Sequence, residues 1–166
     1  MKIAVILGTS KSDGNTRHLV ESFVELSGAK LFDLSDFNIS FYDYEHQNRN
    51  DDFLPMIDEL SGFDHLVFAS PVYWYAMSAQ LKVFFDRLSD LLTIEKGLGR
   101  KLKGKSVSVL STGHNIDLPE CFVKPFEMTA NYMHLDFKGC EYLPIQTESD
   151  LSKVTHCAVQ AFENVT

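Results

Sequence analysis

Apolar and polar positions along the chain fall into blocks whose spacing predicts five strands alternating with five helices. Residues 2–7 (KIAVIL) form a β-branched apolar run, and a polar loop follows through Asn15. From Thr16 onward, Leu19, Val20, Phe23, Val24 and Leu26 repeat at helical spacing, and Gly28 stands where that helix should end. A short second strand is expected at 30–34. The stretch 35–52 is polar and aromatic by turns without a sustained period, and reads as a long surface connection. Residues 53–60 read as a helix, and 64–69 (DHLVFA) as a buried strand broken by Ser70 and Pro71. The strongest helical pattern spans 77–92, where Met77, Leu81, Phe84, Phe85, Leu88, Leu91 and Leu92 recur every three or four residues. A fourth strand is expected at 106–110 and a helix at 118–132, kinked or divided at Pro125. A fifth strand lies within 135–143, and a closing helix at 150–164.

Strands separated by helices imply a parallel sheet, because parallel neighbours need crossovers and the crossovers place helices on both faces. The fully apolar runs KIAVIL and DHLVFA agree, since a sheet covered on both faces loses its in–out alternation. Ligands of such sheets sit at the carboxyl ends of the strands. The loops after strands one, three and four therefore hold the candidate chemistry.

Composition narrows the function. The 166 residues suit one domain covering 1–166, and 45% hydrophobic residues with 23% charged ones describe an ordinary globule. A net charge of −8 argues against a nucleic-acid partner, because phosphate backbones are held by clustered Lys and Arg. Arg100, Lys101, Lys103 and Lys105 form a short basic cluster that reads as a solvated loop ahead of a strand. No apolar run approaches the roughly 20 residues needed to span a membrane, and the N-terminal run is too short for a signal peptide. Cys121, Cys140 and Cys157 include no CxxC pair, which excludes a disulfide framework or structural zinc and fits a reducing cytoplasm. The histidines show no metal-ligand spacing.

Loop one, GTSKSDGNT at 8–16, leads straight into a helix, whose N-terminal N–H groups favour an anion. It is neither a Walker A loop, since Asn15 stands where Lys is required, nor a GxGxxG turn. Neutral donors around a phosphate monoester is one reading, and a Ser/Asn-rich turn that caps the helix is the other. Loop three carries Tyr73, Trp74 and Tyr75 in a row. These either wall a flat ligand or plug the edge of the core or a subunit contact. Loop four, Ser111 to Asn115, offers backbone N–H groups near Gly113. His114 there is either an acid or base or an ordinary surface residue.

Together, GTSKSDGNT and SPVYWYAMSAQLKVFFDRL resemble the NAD(P)H-dependent FMN reductase and NAD(P)H quinone reductase group of flavodoxin-like proteins. The resemblance implies a three-layer α/β sandwich with sheet order 2-1-3-4-5 and FMN at the switch point. Carried over by position, Ser10, Ser12, Asn15 and Thr16 would hold the FMN phosphate. Pro71, Val72, Tyr73 and Trp74 would border the ribityl chain and the isoalloxazine, and Ser111, Thr112 and Gly113 would contact its pyrimidine side. The implied activity passes hydride from NADPH or NADH to FMN and on to a quinone or similar small acceptor, with no catalytic side chain and no metal required. A homodimer or higher homo-oligomer is implied too. The wide stripe of Phe84, Phe85, Leu88, Leu91 and Leu92 is either its contact face or a helix packed deep inside. Asp86 and Arg87 read as a local or interfacial ion pair. The segment 35–52 lacks the cysteines of many relatives, so thiol or iron–sulfur chemistry has no support. A flavodoxin-type electron carrier is the competing reading, favoured only by the acidic surface, and a non-catalytic nucleotide or flavin sensor ranks third.

Overall fold

The computed structural model describes residues 1–165, and its sheet has the order β2-β1-β3-β4-β5 with every pairing parallel. Strands β1 (Ile3–Leu7), β2 (Lys30–Asp33), β3 (His65–Pro71), β4 (Ser106–Gly113) and β5 (Asp136–Pro144) carry the sheet. Every residue of β1 and β3 is buried, the pattern that both apolar runs demanded. One face is covered by α2 (Phe53–Leu60), α3 (Ala79–Arg87), α4 (Asp90–Thr93), α5 (Lys96–Leu102) and α6 (Glu120–Tyr132), around Phe68, Phe84, Phe122 and Phe126. The other is covered by α1 (Asn15–Ser27) and α7 (Val154–Glu163), around Phe23, Val67 and Ala158. Gly28 closes α1 in the left-handed conformation, with φ 67° and its N–H on the Val24 carbonyl.

The helix expected over 77–92 is divided. It starts after Ser78, whose hydroxyl caps the Leu81 N–H, and α3 stops at Arg87. The backbone then tightens through i→i−3 bonds, Leu88 N–H to Phe85 and Ser89 N–H to Asp86, before α4 begins. The apolar stripe is mostly internal. Phe84, Leu88 and Leu91 are buried, Phe85 packs edge-on against Phe68 and Phe126, and Leu92 alone stays exposed. Asp86 and Arg87 do not pair with each other: Asp86 accepts from Lys82, and Arg87 turns inward to Asp51 and Asp90.

The supposed basic loop contains α5, whose two glycines masked its helical pattern. Gly99 is required there, because a Cβ would lie 2.5 Å from the Leu91 carbonyl oxygen where α5 crosses α4. Pro125 neither divides nor ends α6, which runs unbroken and buries Phe122, Phe126 and Ala130. Strands β4 and β5 outlast their expected ends, because Ser111 and Thr112 pair with Ser70 and Pro71, and Leu143 and Pro144 pair with Thr112 and Gly113. The closing segment opens as a 3₁₀ turn, Glu148–Lys153, behind a capping box formed by Thr147 and Asp150, before α7.

Candidate active site

The three loops meet at the carboxyl edge of the sheet, where the strand order reverses between β1 and β3. The first enters α1 without any side-chain cap: Gly14 is the N-cap residue, and its carbonyl accepts only the first helical bond, from the His18 N–H at 3.1 Å. The amides of Asn15, Thr16 and Arg17 therefore have no hydrogen-bond partner among the described residues, nor has that of Ser12. Orphan amides at the positive end of a helix are a ready anion site. No Ser or Asn side chain of the loop caps the helix. Ser10, Ser12 and Asn15 are exposed, and Ser10 shares a hydrogen bond with Gln80. Thr16 is buried, with its hydroxyl 2.7 Å from that of Thr112. Two hydroxyls that share one hydrogen bond keep a second hydrogen to offer a ligand.

Arg17 follows, and it is occupied. Its Nε donates to the Ser12 carbonyl at 3.1 Å and its Nη2 to Asp33 at the end of β2. It braces the loop from outside and is not free to read a further phosphate.

After β3 the chain makes a tight turn. Tyr73 and Ala76 exchange both backbone hydrogen bonds, at 2.9 and 3.0 Å, and the two residues between them, Trp74 and Tyr75, have φ of 48° and 66°. Both central residues of this hairpin are thus left-handed, a conformation that normally selects Gly, Asn or Asp. Two bulky aromatics held there store strain of order 1–3 kcal/mol each. Trp74 is 94% exposed, so packing against its own chain does not explain the choice. Pro71 is buried within the sheet, and Val72 donates its N–H to the Thr112 carbonyl at 2.9 Å.

Loop four faces this turn. Val72, Trp74, Tyr75, His114, Asn115 and Tyr142 line a cleft of about 190 Å³. Tyr142 donates its hydroxyl to the Asn115 carbonyl at 2.7 Å, and Gln146 donates to that of His114 at 3.1 Å. The amides of His114 and Asn115 remain without partners among the described residues. Burial raises the Tyr142 pKa above the usual phenol value, so this bond keeps its proton. Ser111 is fully buried with its hydroxyl on the Ser70 carbonyl at 2.7 Å, so it supports the strand end from behind. Of the residues expected at the site, Val72 and Trp74 line the cleft, Thr112 reaches Thr16, and Gly113 abuts Tyr142; Tyr73 does not line the cleft. Tyr75 of loop three and His114 and Asn115 of loop four line it as well, and Tyr142 is the one addition. Tyr142 escaped notice because the end of the fifth strand was not fixed by its pattern.

A parallel sheet with an anion cradle at its first turn, and a cleft of aromatic rings and free amides beside it, defines a flavodoxin-like mononucleotide-binding protein. The chain belongs to the NADPH-dependent FMN reductase family, which residues 1–117 match, and is an NAD(P)H-dependent FMN oxidoreductase. It is 32% identical over 151 residues, 84% of this chain and 82% of the relative, to YwqN of Bacillus subtilis (strain 168), assigned as an NAD(P)H-dependent FMN-containing oxidoreductase. Among solved structures it resembles the Trp repressor binding protein of Bacillus subtilis, with 26% identity and a TM-score of 0.72 over 94% of this chain and 97% of that one. The fold is also that of general stress protein 14 from Treponema denticola in complex with FMN, with 18% identity and a TM-score of 0.72 over 98% and 97%.

Proposed function

We propose that Ser10, Ser12, Asn15 and Thr16, with the free amides at the start of α1, hold the phosphate of FMN. In the same reading, Pro71, Val72 and Trp74 border its ribityl chain and ring, and Thr112 and Gly113 meet the pyrimidine side. The uncapped helix carries this reading: its unpartnered amides, the buried Thr16–Thr112 hydroxyl pair and the adjacent ring-lined cleft match a phosphate joined to a flat heterocycle. When bound, the flavin supplies two-electron transfer between a nicotinamide and an acceptor. The chain's own part is to bind and orient. Loop-one amides and hydroxyls fix the anionic end without a cation. The amides of His114 and Asn115 are donors for ring carbonyls, and so favour negative charge on the ring. The turn at 73–76 walls the cleft against water and leaves room for a small planar acceptor such as a quinone.

Either nicotinamide serves in this reading. Arg17, the cation best placed for a 2′-phosphate, is committed to Asp33 and Ser12, and Lys11 is exposed beside Asp13. The chain acts as one flavodoxin-like domain in a reducing cytoplasm, in keeping with its three free thiols. No described helix is long and apolar enough to cross a membrane. For a homodimer, the internal stripe on α3 is a poor contact. Phe41 and Tyr44 on the connection before α2, both largely exposed, offer a second copy more apolar surface.

The test is an absorbance spectrum of the purified protein, an FMN titration, and anaerobic addition of NADPH. Stoichiometric FMN binding followed by bleaching within a turnover time supports the reading. Absence of flavin binding would overturn the phosphate site, and binding without bleaching by either nicotinamide would leave a carrier.

A further inference from the structure

A second recess lies on the α5–α6 side of the molecule, away from the flavin cleft. It is a groove of about 640 Å³ between α4 and α5 on one side and the end of α6 on the other. Gly99 lines it, where α5 lies against α4 with no room for a Cβ between them. Lys96 and Arg100 on α5 and Lys103 just past its end give the groove a cationic rim, and Leu92 of α4 and Tyr132 at the end of α6 give it apolar surface. Tyr132 is 71% exposed and Leu92 43%, so this apolar surface is unfilled by the chain itself. Among the described residues no carboxylate lines the groove, although the chain as a whole carries a charge of −8.

None of the three cations pairs with a carboxylate among the described residues, whereas nearby Lys101 pairs with Asp58. Helix electrostatics does not account for them. Arg100, in the last turn of α5, complements the negative end of the helix, but Lys96 is its first residue, where a positive charge is unfavourable. Three unpaired like charges above an open apolar floor repel one another until an anion arrives.

We propose that this groove binds a small anionic amphiphile: an apolar or aromatic body carrying carboxylate, sulfonate or phosphate groups. The acidic groups meet Lys96, Arg100 and Lys103, and the body lies against Leu92 and Tyr132. A volume of this size suits a small molecule.

The probe is anilinonaphthalene sulfonate, titrated by fluorescence into FMN-saturated protein, with neutral N-phenylnaphthylamine as its uncharged counterpart. Binding of the sulfonate should exceed that of the neutral analogue and weaken as salt rises. K96Q/R100Q/K103Q should weaken it about tenfold, the sum expected of three partly screened ion pairs, and L92D should abolish it. FMN affinity, NADPH oxidation and the circular dichroism spectrum should stay unchanged in both variants. If the triple variant unfolds, R100Q alone should weaken binding about twofold to threefold. Equal binding of charged and neutral probes, or sulfonate binding indifferent to the charge substitutions, would overturn the proposal. Because the readout is probe fluorescence, the outcome stands whether or not the flavin assignment does.

Discussion

Arg87 and Asp51 meet through two parallel hydrogen bonds, Nη1 to Oδ2 at 2.5 Å and Nη2 to Oδ1 at 3.2 Å, at the end of α3. Arg87 has no exposed surface; its Nε also reaches Asp90 at 2.8 Å, and its guanidinium lies 4.8 Å from the centre of the Phe53 ring. Asp90 in turn meets His46 at 3.0 Å, and Arg87 Nη1 also donates to the Ser40 carbonyl at 3.1 Å, so the connection before α2 is clamped to α3 and α4 at three points. Burial works against an ionised Asp51, but hydrogen bonds from Arg87 and from the Ser40 and Phe53 amides outweigh it and lower its pKa. Asp51→Ala should cost about 3–5 kcal/mol, the usual consequence of stranding a buried charge. Urea unfolding measures it, and limited proteolysis should cut first within 37–52. A loss below about 1 kcal/mol would show that water replaces the carboxylate.

Thr16→Val removes one of the two buried hydroxyls and its hydrogen bond to Thr112. FMN affinity should fall about 10- to 100-fold, the equivalent of one hydrogen bond to a charged group. Thr16→Ser should retain most of it. Flavin fluorescence quenching provides the comparison, and undiminished affinity in the valine variant would remove Thr16 from the phosphate site.

His65 predicts how stability varies with pH. It is fully buried between Ser106 and Ser108, with ring nitrogens 2.7 and 2.8 Å from their hydroxyls. Desolvation, aided by the charge of Lys138, pushes its pKa from 6.5 down to about 4. Between those values the unfolded chain binds a proton that the folded one refuses, so the contribution is complete above 6.5 and is lost as pH falls toward 4. At 1.36 kcal/mol per unit the loss approaches about 3 kcal/mol. Urea midpoints at pH 7.5 and 4.5 should therefore separate more for the native protein than for His65→Gln.

Gly113→Ala should weaken FMN binding without unfolding the protein. The added carbon would lie 2.7 Å from the Tyr142 hydroxyl, so the ring must move and release the Asn115 carbonyl. Adding Tyr142→Ala to that variant removes the clash and should recover thermal stability. If the double variant melts no higher than Gly113→Ala, the crowding is not with Tyr142.

The layered sheet was legible because KIAVIL and DHLVFA leave no polar face, and only a doubly covered parallel sheet accommodates that. Strand ends were not, since Ser111 and Thr112 look like loop residues until their hydroxyls find Ser70 and Thr16. Helix α5 was hidden by Gly99, whose low helix propensity is offset by a close approach that no local pattern records. Within the site, loop one was readable from adjacent residues. The bond from Tyr142 to Asn115 joins two residues on different elements, and the inward turn of Arg87 depends on Asp51 from another element. Such contacts leave no periodic trace in a single sequence.

The left-handed pair Trp74 and Tyr75 sets a direction for laboratory evolution of this enzyme. Glycine at either position would relieve the backbone and, by that measure alone, raise the melting temperature. A library sorted only for heat resistance would therefore drift toward a smooth, ring-free hairpin and discard a wall of the cleft. Selection has to score ligand binding in the same round, because at these two codons backbone relief and the ring wall of the cleft pull apart.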